Sequence, residues 1–110
     1  MNAIIYPVRD LARAKQLYAA WLGTEPYVDS AYYVGFRLGD HEVGLDPHGF
    51  DQGLTAPVGY TDVSDIEEGL SQLEAAGASR RDEPHDVGGG MLIATVTDPD
   101  GHVIGLRQQP

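Results

Sequence analysis

Glu42 in "HEVGLD" and Asp62 in "PVGYTDV" are carboxylates carried on short apolar runs, and Tyr60 stands two residues before Asp62. A carboxylate drawn partly out of water has a raised pKa, which prepares it as a general acid or base. A neighbouring phenol can orient the substrate. That chemistry would serve a lyase, an isomerase or a hydrolase. The four histidines are the other candidates. His41 and His102 fall at or just after the turn sequences "GD" and "DPDG", which reads as solvent-facing. His48 follows "DP" in a Gly- and Asp-rich linker (46–56), and His85 precedes "DVGGG". Asp46, His48 and His85 together show no recognisable metal-ligand spacing. The "GGG" at 88–90 lacks the lysine-bearing frame of a phosphate loop and opens no helix, so it reads as a flexible loop. With no cysteine, thiol nucleophiles, thiolate metal sites and disulfides are all excluded.

The bulk numbers bound the rest. A chain of 110 residues, 42% hydrophobic and 22% charged, has the composition of one ordinary globular domain. Its formal net charge of −10 repels phosphate backbones, so nucleic acid is not an expected partner, whereas a cationic ligand would be favoured. The N-terminal "MNAIIYPVRD" has no basic segment followed by a long apolar one, and no apolar run approaches a membrane span. The expected location is cytoplasmic, away from membranes.

Two helices are legible among strand-like runs. Asp10 can cap the first, where Leu11, Ala14, Leu17, Tyr18 and Trp21 recur at helical spacing before Gly23. Ser64 and Glu67 have capping-box spacing at the start of the second, with Ile66, Leu70 and Leu73 as its apolar face and Gly77 at its close. Strands are expected at 3–8, then in "PYVD", "YYVGFRL" and "HEVGLD", and again at 57–63, "SRRDE", "MLIATVT" and "HVIGLR". The order strand–helix–strand–strand–strand therefore occurs twice. An offset of 55 relates Val8 to Val63, and an offset of 61 relates Gly44 to Gly105. Duplication explains this better than a solenoid, because two copies are too few for an array.

With these elements in place, "YPVRDLARAKQLYAAWLG" resembles the opening of the vicinal oxygen chelate proteins, the glyoxalase/bleomycin-resistance/extradiol-dioxygenase superfamily. "DPDGHVIGL" is similar to that superfamily's closing turn and strand. The resemblance implies an α+β fold of two βαβββ modules curled around a shared concave pocket. They would form a single domain over 1–110, with the first module at about 1–50 and the second at about 56–108. It also implies four metal-ligand positions, which fall here at Ala3, Val58, Gly44 and Gly105. None of these has a donor atom for a divalent metal.

Glycine inside a strand often marks the close approach of a ligand or of another backbone. Gly44 and Gly105, at matching places in the two copies, therefore suggest either a widened pocket floor or tight packing. In the same phase, the residues expected to line the cavity include Ile5, Glu42, Gly44, Asp46, Val58, Tyr60, Asp62 and Gly105, with Tyr33 from the third strand. The phase of the third and seventh strands stays open. The leading expectation is a metal-independent protein that binds or sequesters a small cationic or aromatic molecule, with no cofactor and as a homodimer. One alternative is an enzyme using Glu42 or Asp62 as acid or base. Another is a metal-dependent enzyme of the superfamily with non-standard ligands.

Overall fold

The computed structural model describes residues 2–110, which divide into two compact units, Asn2–Val58 and Gly59–Pro110. Each is built on a βαβββ plan.

In the first, β1 (Ala3–Pro7) leads to α1 (Leu11–Leu22), then β2 (Val28–Asp29), β3 (Val34–Leu38) and β4 (His41–Asp46). Asp10 caps α1 by accepting from the Arg13 amide at 3.1 Å, and Gly23, at φ 70°, closes it in the left-handed region. The sheet order is β2-β3-β4-β1, with β1 parallel to β4 and the other pairs antiparallel. One pleat face carries Val34, Phe36, Val43 and Leu45, which pack with Val8 under Leu11, Ala14, Tyr18, Ala19 and Leu22 of α1. The helical face read from the sequence is thereby corrected. Leu17 and Trp21 do not join this core and stay 66% and 65% exposed. At about 100° per residue they fall on the flank of the stripe centred on Leu11, Tyr18 and Leu22.

In the second unit, β5 (Val58–Asp62) leads to α2 (Ile66–Ala75), β6 (Ser79–Asp86), β7 (Leu92–Thr97) and β8 (Val103–Gln108). Their order is β5-β8-β7-β6, with β5 parallel to β8. The α2 cap is Asp65, which accepts from the Glu68 amide at 3.1 Å, rather than the expected Ser64. Ile66 and Leu70 pack on Ala94, Val96 and Leu106. β6 runs for eight residues, longer than "SRRDE" suggested, because register shifts near Asp82 let it follow β7. Arg80 reaches Glu67 and Glu74 of α2 and Glu83 of its own strand at 2.9–3.1 Å, tying helix to sheet.

Neither strand order closes on itself. Closure would require the first and last strands of a sheet to pair, and β2 and β6 are sheet edges. The expectation of sheets curled around a shared concave pocket is therefore corrected to open sheets. Among the described residues, no helix is long and apolar enough to cross a membrane.

Candidate functional site

The pairing register dictates which side chains meet. In the first unit, Gly35 lies opposite Gly44, and Arg37 opposite Glu42. Ile5 of β1 is level with Gly44, and Val28 of β2 with Gly35. Directly paired residues project to the same face. Two adjacent glycines therefore cut a trench across the pleat, on the face away from α1.

Tyr33 fills that trench. A Cβ at Gly44 would collide with the Tyr33 hydroxyl and approach Ile5 Cδ1 to 2.6 Å, while one at Gly35 would come within 3.0 Å of the Tyr33 ring. The trench lets the Tyr33 hydroxyl donate to Glu42 Oε2, while the Tyr27 hydroxyl donates to Glu42 Oε1 at 2.7 Å. The Arg37 guanidinium lies over the Tyr27 ring, 4.3 Å from its centre. Desolvation raises the Tyr27 pKa, and its hydrogen bond to Glu42 adds to the effect, so the phenol keeps its proton. One carboxylate thus accepts from two phenols on a half-buried face. Asp46, at the end of β4, accepts from the His48 amide at 2.8 Å and so shapes the following turn.

The second unit repeats the glycine device with another partner. Tyr60 is level with Gly105, and a Cβ there would collide with the Tyr60 ring. Asp62 is level with Arg107 and holds it in a fork, with Nε–Oδ1 at 2.7 Å and Nη2–Oδ2 at 3.3 Å. Val58 is buried. Asp82 accepts from the Thr95 hydroxyl and from Arg81, both at 2.6 Å. The phase left open for the seventh strand is settled: Ala94 and Val96 face α2, which puts Thr95 on the face of Tyr60 and Gly105.

The β7–β8 turn carries a constellation that the sequence reading did not assemble. Asp98, Asp100 and His102 each offer one ligand atom, all within 4.8 Å of one another. Asp98 Oδ1 accepts from the backbone amides of Asp100 and His102 at 2.9 and 2.8 Å, and its Oδ2 lies 3.0 Å from His102 Nδ1. The His102 amide is the main reason the Asp98 carboxyl is held below its ordinary pKa, which keeps it ionised. The D-x-D-x-H spacing was the available signal. It is masked because "DPDG" reads as a turn and His102 as a solvent-facing residue. The assignment of no metal ligands, and with it the metal-independent reading, is corrected here. The trio that gathers is this one, not Asp46, His48 and His85.

A βαβββ plan written twice, each copy with a parallel outer pair, now meets a family model. Residues 1–106 match the Glyoxalase/Bleomycin resistance protein/Dioxygenase superfamily. The chain belongs to this superfamily. Solved structures with the same fold include an NAD-dependent benzaldehyde dehydrogenase from Legionella pneumophila (18% identity, TM-score 0.81, all of both chains covered). Another is a superfamily member from Vibrio splendidus 12B01 (18%, TM-score 0.71, 97% of each chain). A third is methylmalonyl-CoA epimerase from Mycobacterium tuberculosis (15%, TM-score 0.75, 99% of this chain and 87% of that one). At these identities the likeness is one of fold. No curated protein matches in sequence. The four positions at which the resemblance places the superfamily's metal ligands do not fit a metal. Ala3 and Val58 are buried without donor atoms, and the space beside Gly44 and Gly105 is taken by tyrosines.

Proposed function

We propose that this superfamily member is a metal-dependent enzyme acting on a small organic substrate, with a divalent cation on the non-standard ligands Asp98, Asp100 and His102. The gathering of three ligand atoms within 4.8 Å carries the reading. Two carboxylates and an imidazole make a mixed oxygen–nitrogen donor set suited to manganese, iron(II), nickel or zinc. Three protein ligands leave coordination positions for water or substrate. When bound, such a cation would polarise a substrate carbonyl or acidify a water. The chain's own part is to present the ligands: the backbone amides on Asp98 Oδ1 fix that carboxylate and keep it charged.

Calorimetric titration of tag-free, chelator-stripped protein with Mn²⁺, Ni²⁺ and Zn²⁺ tests this. Saturable binding of one ion per chain is expected. Asp98→Asn and His102→Ala should each weaken it by at least about tenfold, the scale of losing a ligand or its support. No binding, or binding indifferent to both substitutions, overturns the proposal.

A second reading, acid–base catalysis by Glu42, is favoured by the two phenols on its carboxylate. Tyr27 and Tyr33 could release Glu42 to take a substrate proton and then donate to the oxyanion that forms, where fixed donors act most strongly. Glu42→Gln should lower kcat by about 10²–10⁴-fold with the fold retained. Unchanged turnover would remove Glu42 from the mechanism. In either reading the partner is a small molecule rather than nucleic acid, given the net charge of −10. The assembly proposed is a homodimer, the prevalent symmetric oligomer.

A further inference from the structure

The slot that Tyr33 fills has the chemistry of a phenol site, and its occupant is a rotatable side chain rather than fixed backbone. The floor is the main chain at Gly44 and Gly35, where a Cβ would collide with the Tyr33 hydroxyl or come within 3.0 Å of its ring. Ile5 Cδ1 closes one side, 2.6 Å from where a Gly44 Cβ would stand, and Tyr27 Cε1 another, 3.2 Å from a Gly35 Cβ. Glu42 Oε2 accepts from the Tyr33 hydroxyl, while Oε1 accepts from Tyr27 at 2.7 Å. Tyr33 stands just ahead of β3, and its main chain is held independently of its ring. The Tyr33 amide donates to Ser30 Oγ at 3.1 Å, and the Ser30 amide donates to the Tyr33 carbonyl, also at 3.1 Å. Because the residue is only half-buried, rotation about χ1 takes the ring out of the slot without moving the strand.

We propose that Tyr33 is a built-in competitor in this slot, and that the substrate of the Glu42 site is a hydroxyaromatic compound. Its ring displaces that of Tyr33, and its hydroxyl donates to Glu42 Oε2 instead. The inference rests on the Glu42 reading, whose substrate class it names, and is independent of a metal at the β7–β8 turn. The paired glycines carry it. Gly35 and Gly44 face each other across β3 and β4, so both side chains are missing at one spot. Glycine weakens a strand and often marks the close approach of a ligand. If the space needed only filling, a β-branched residue at either position would fill it and strengthen the strand. What the trench adds is room for a ring with its hydroxyl on a carboxylate. A ring without a hydroxyl would leave Glu42 Oε2 without that donor, and a ring bearing an anion there would be repelled. Tyr33 is tethered, so it competes at a high effective concentration. Affinity for an incoming phenol is therefore reduced to the fraction of chains in which Tyr33 has swung out.

Calorimetric titration of the full chain with p-cresol, which reproduces the tyrosine side chain, tests this, with toluene as the analogue lacking the hydroxyl. Saturable binding of p-cresol to the wild-type chain is expected. Tyr33→Ala should tighten it by at least about tenfold, because the competitor is gone. Tyr33→Phe, which keeps the ring and drops the bond to Glu42, should tighten it by less. Toluene should bind Tyr33→Ala at least about tenfold more weakly than p-cresol does. Adding Gly44→Ala to Tyr33→Ala should abolish p-cresol binding, since the new methyl group takes the place of the hydroxyl. A Tyr33→Ala chain that binds p-cresol beside a wild type that never does would make Tyr33 a fixed part of the core and overturn the proposal. Toluene binding as tightly as p-cresol, or affinity indifferent to Gly44→Ala, overturns it too. Circular dichroism melts check each fold. If Tyr33→Ala does not fold, Tyr33→Phe decides alone, and affinity no higher than wild type overturns the proposal. None of these measurements involves turnover. Their failure leaves Glu42 able to act on another class of substrate, whereas unchanged turnover in Glu42→Gln removes the catalysis and leaves the binding result standing.

Discussion

Gly44 shows how much one absent side chain decides. The space its Cβ would take belongs to the Tyr33 hydroxyl, and that placement lets Tyr33 donate to Glu42. Gly44→Ala must push Tyr33 aside or spread β1 from β4, since Ile5 closes the other side at 2.6 Å. Overpacking of this kind costs about 1–3 kcal/mol, read from a urea midpoint. The cost should fall when Tyr33→Ala is present too, because the two residues share one space and their effects are not additive. Equal penalties with and without Tyr33 would show that the collision is not the cause. Gly105 against Tyr60 is the same contact in the other unit.

Among the elements, the β7–β8 turn makes the sharpest demand on pH. Asp98 accepts two backbone amides and lies beside His102, so its folded pKa is below the unfolded value. A depressed carboxylate stabilises the turn fully above the unfolded pKa and loses that contribution as pH falls through the folded one. The protection of the Asp100 and His102 amides, measured relative to the intrinsic exchange rate at each pH, should therefore fall as the solution is acidified below the usual carboxylate range. Asp98→Asn should flatten that dependence. An identical acid response in the variant would place the sensitivity elsewhere. The caps follow from the sequence with less ambiguity. Asp10 serves α1 as its position suggests, whereas at α2 the adjacent Asp65 takes the role expected of Ser64. Two capping residues side by side give the sequence no means of choosing; the direction in which the chain enters the helix chooses for it.

For the whole molecule, the metal reading makes a spatial prediction beyond affinity. A cation on Asp98, Asp100 and His102 binds only the folded turn and stabilises it by mass action. Saturating metal should slow exchange around 98–102 first and leave the Tyr27–Glu42–Tyr33 cluster little changed. Protection appearing first at Glu42 would relocate the metal. The modular plan was legible because its signals are local: helical periodicity, turn residues between strand-like runs, and one pattern recurring at offsets of 55 and 61. That Glu42, Gly44 and Tyr60 share the pleat face opposite the helix of their own unit follows from strict alternation. Gly35 could have been added by the same argument, since "YVGF" places a third glycine in a strand.

What the sequence determined unaided is therefore the repeated βαβββ plan, the Asp10 cap of α1 and the turns between strands. These depend on neighbours a few residues away, where stereochemistry leaves few choices. Tertiary structure alone decided that tyrosines fill the glycine gaps, that Asp62 is held by Arg107, and that Leu17 and Trp21 face outward. It also decided that Asp98, Asp100 and His102 converge. Residue types and spacing leave strand register, side-chain rotamers and helix rotation underdetermined. Those are fixed only when distant segments compete for the same volume.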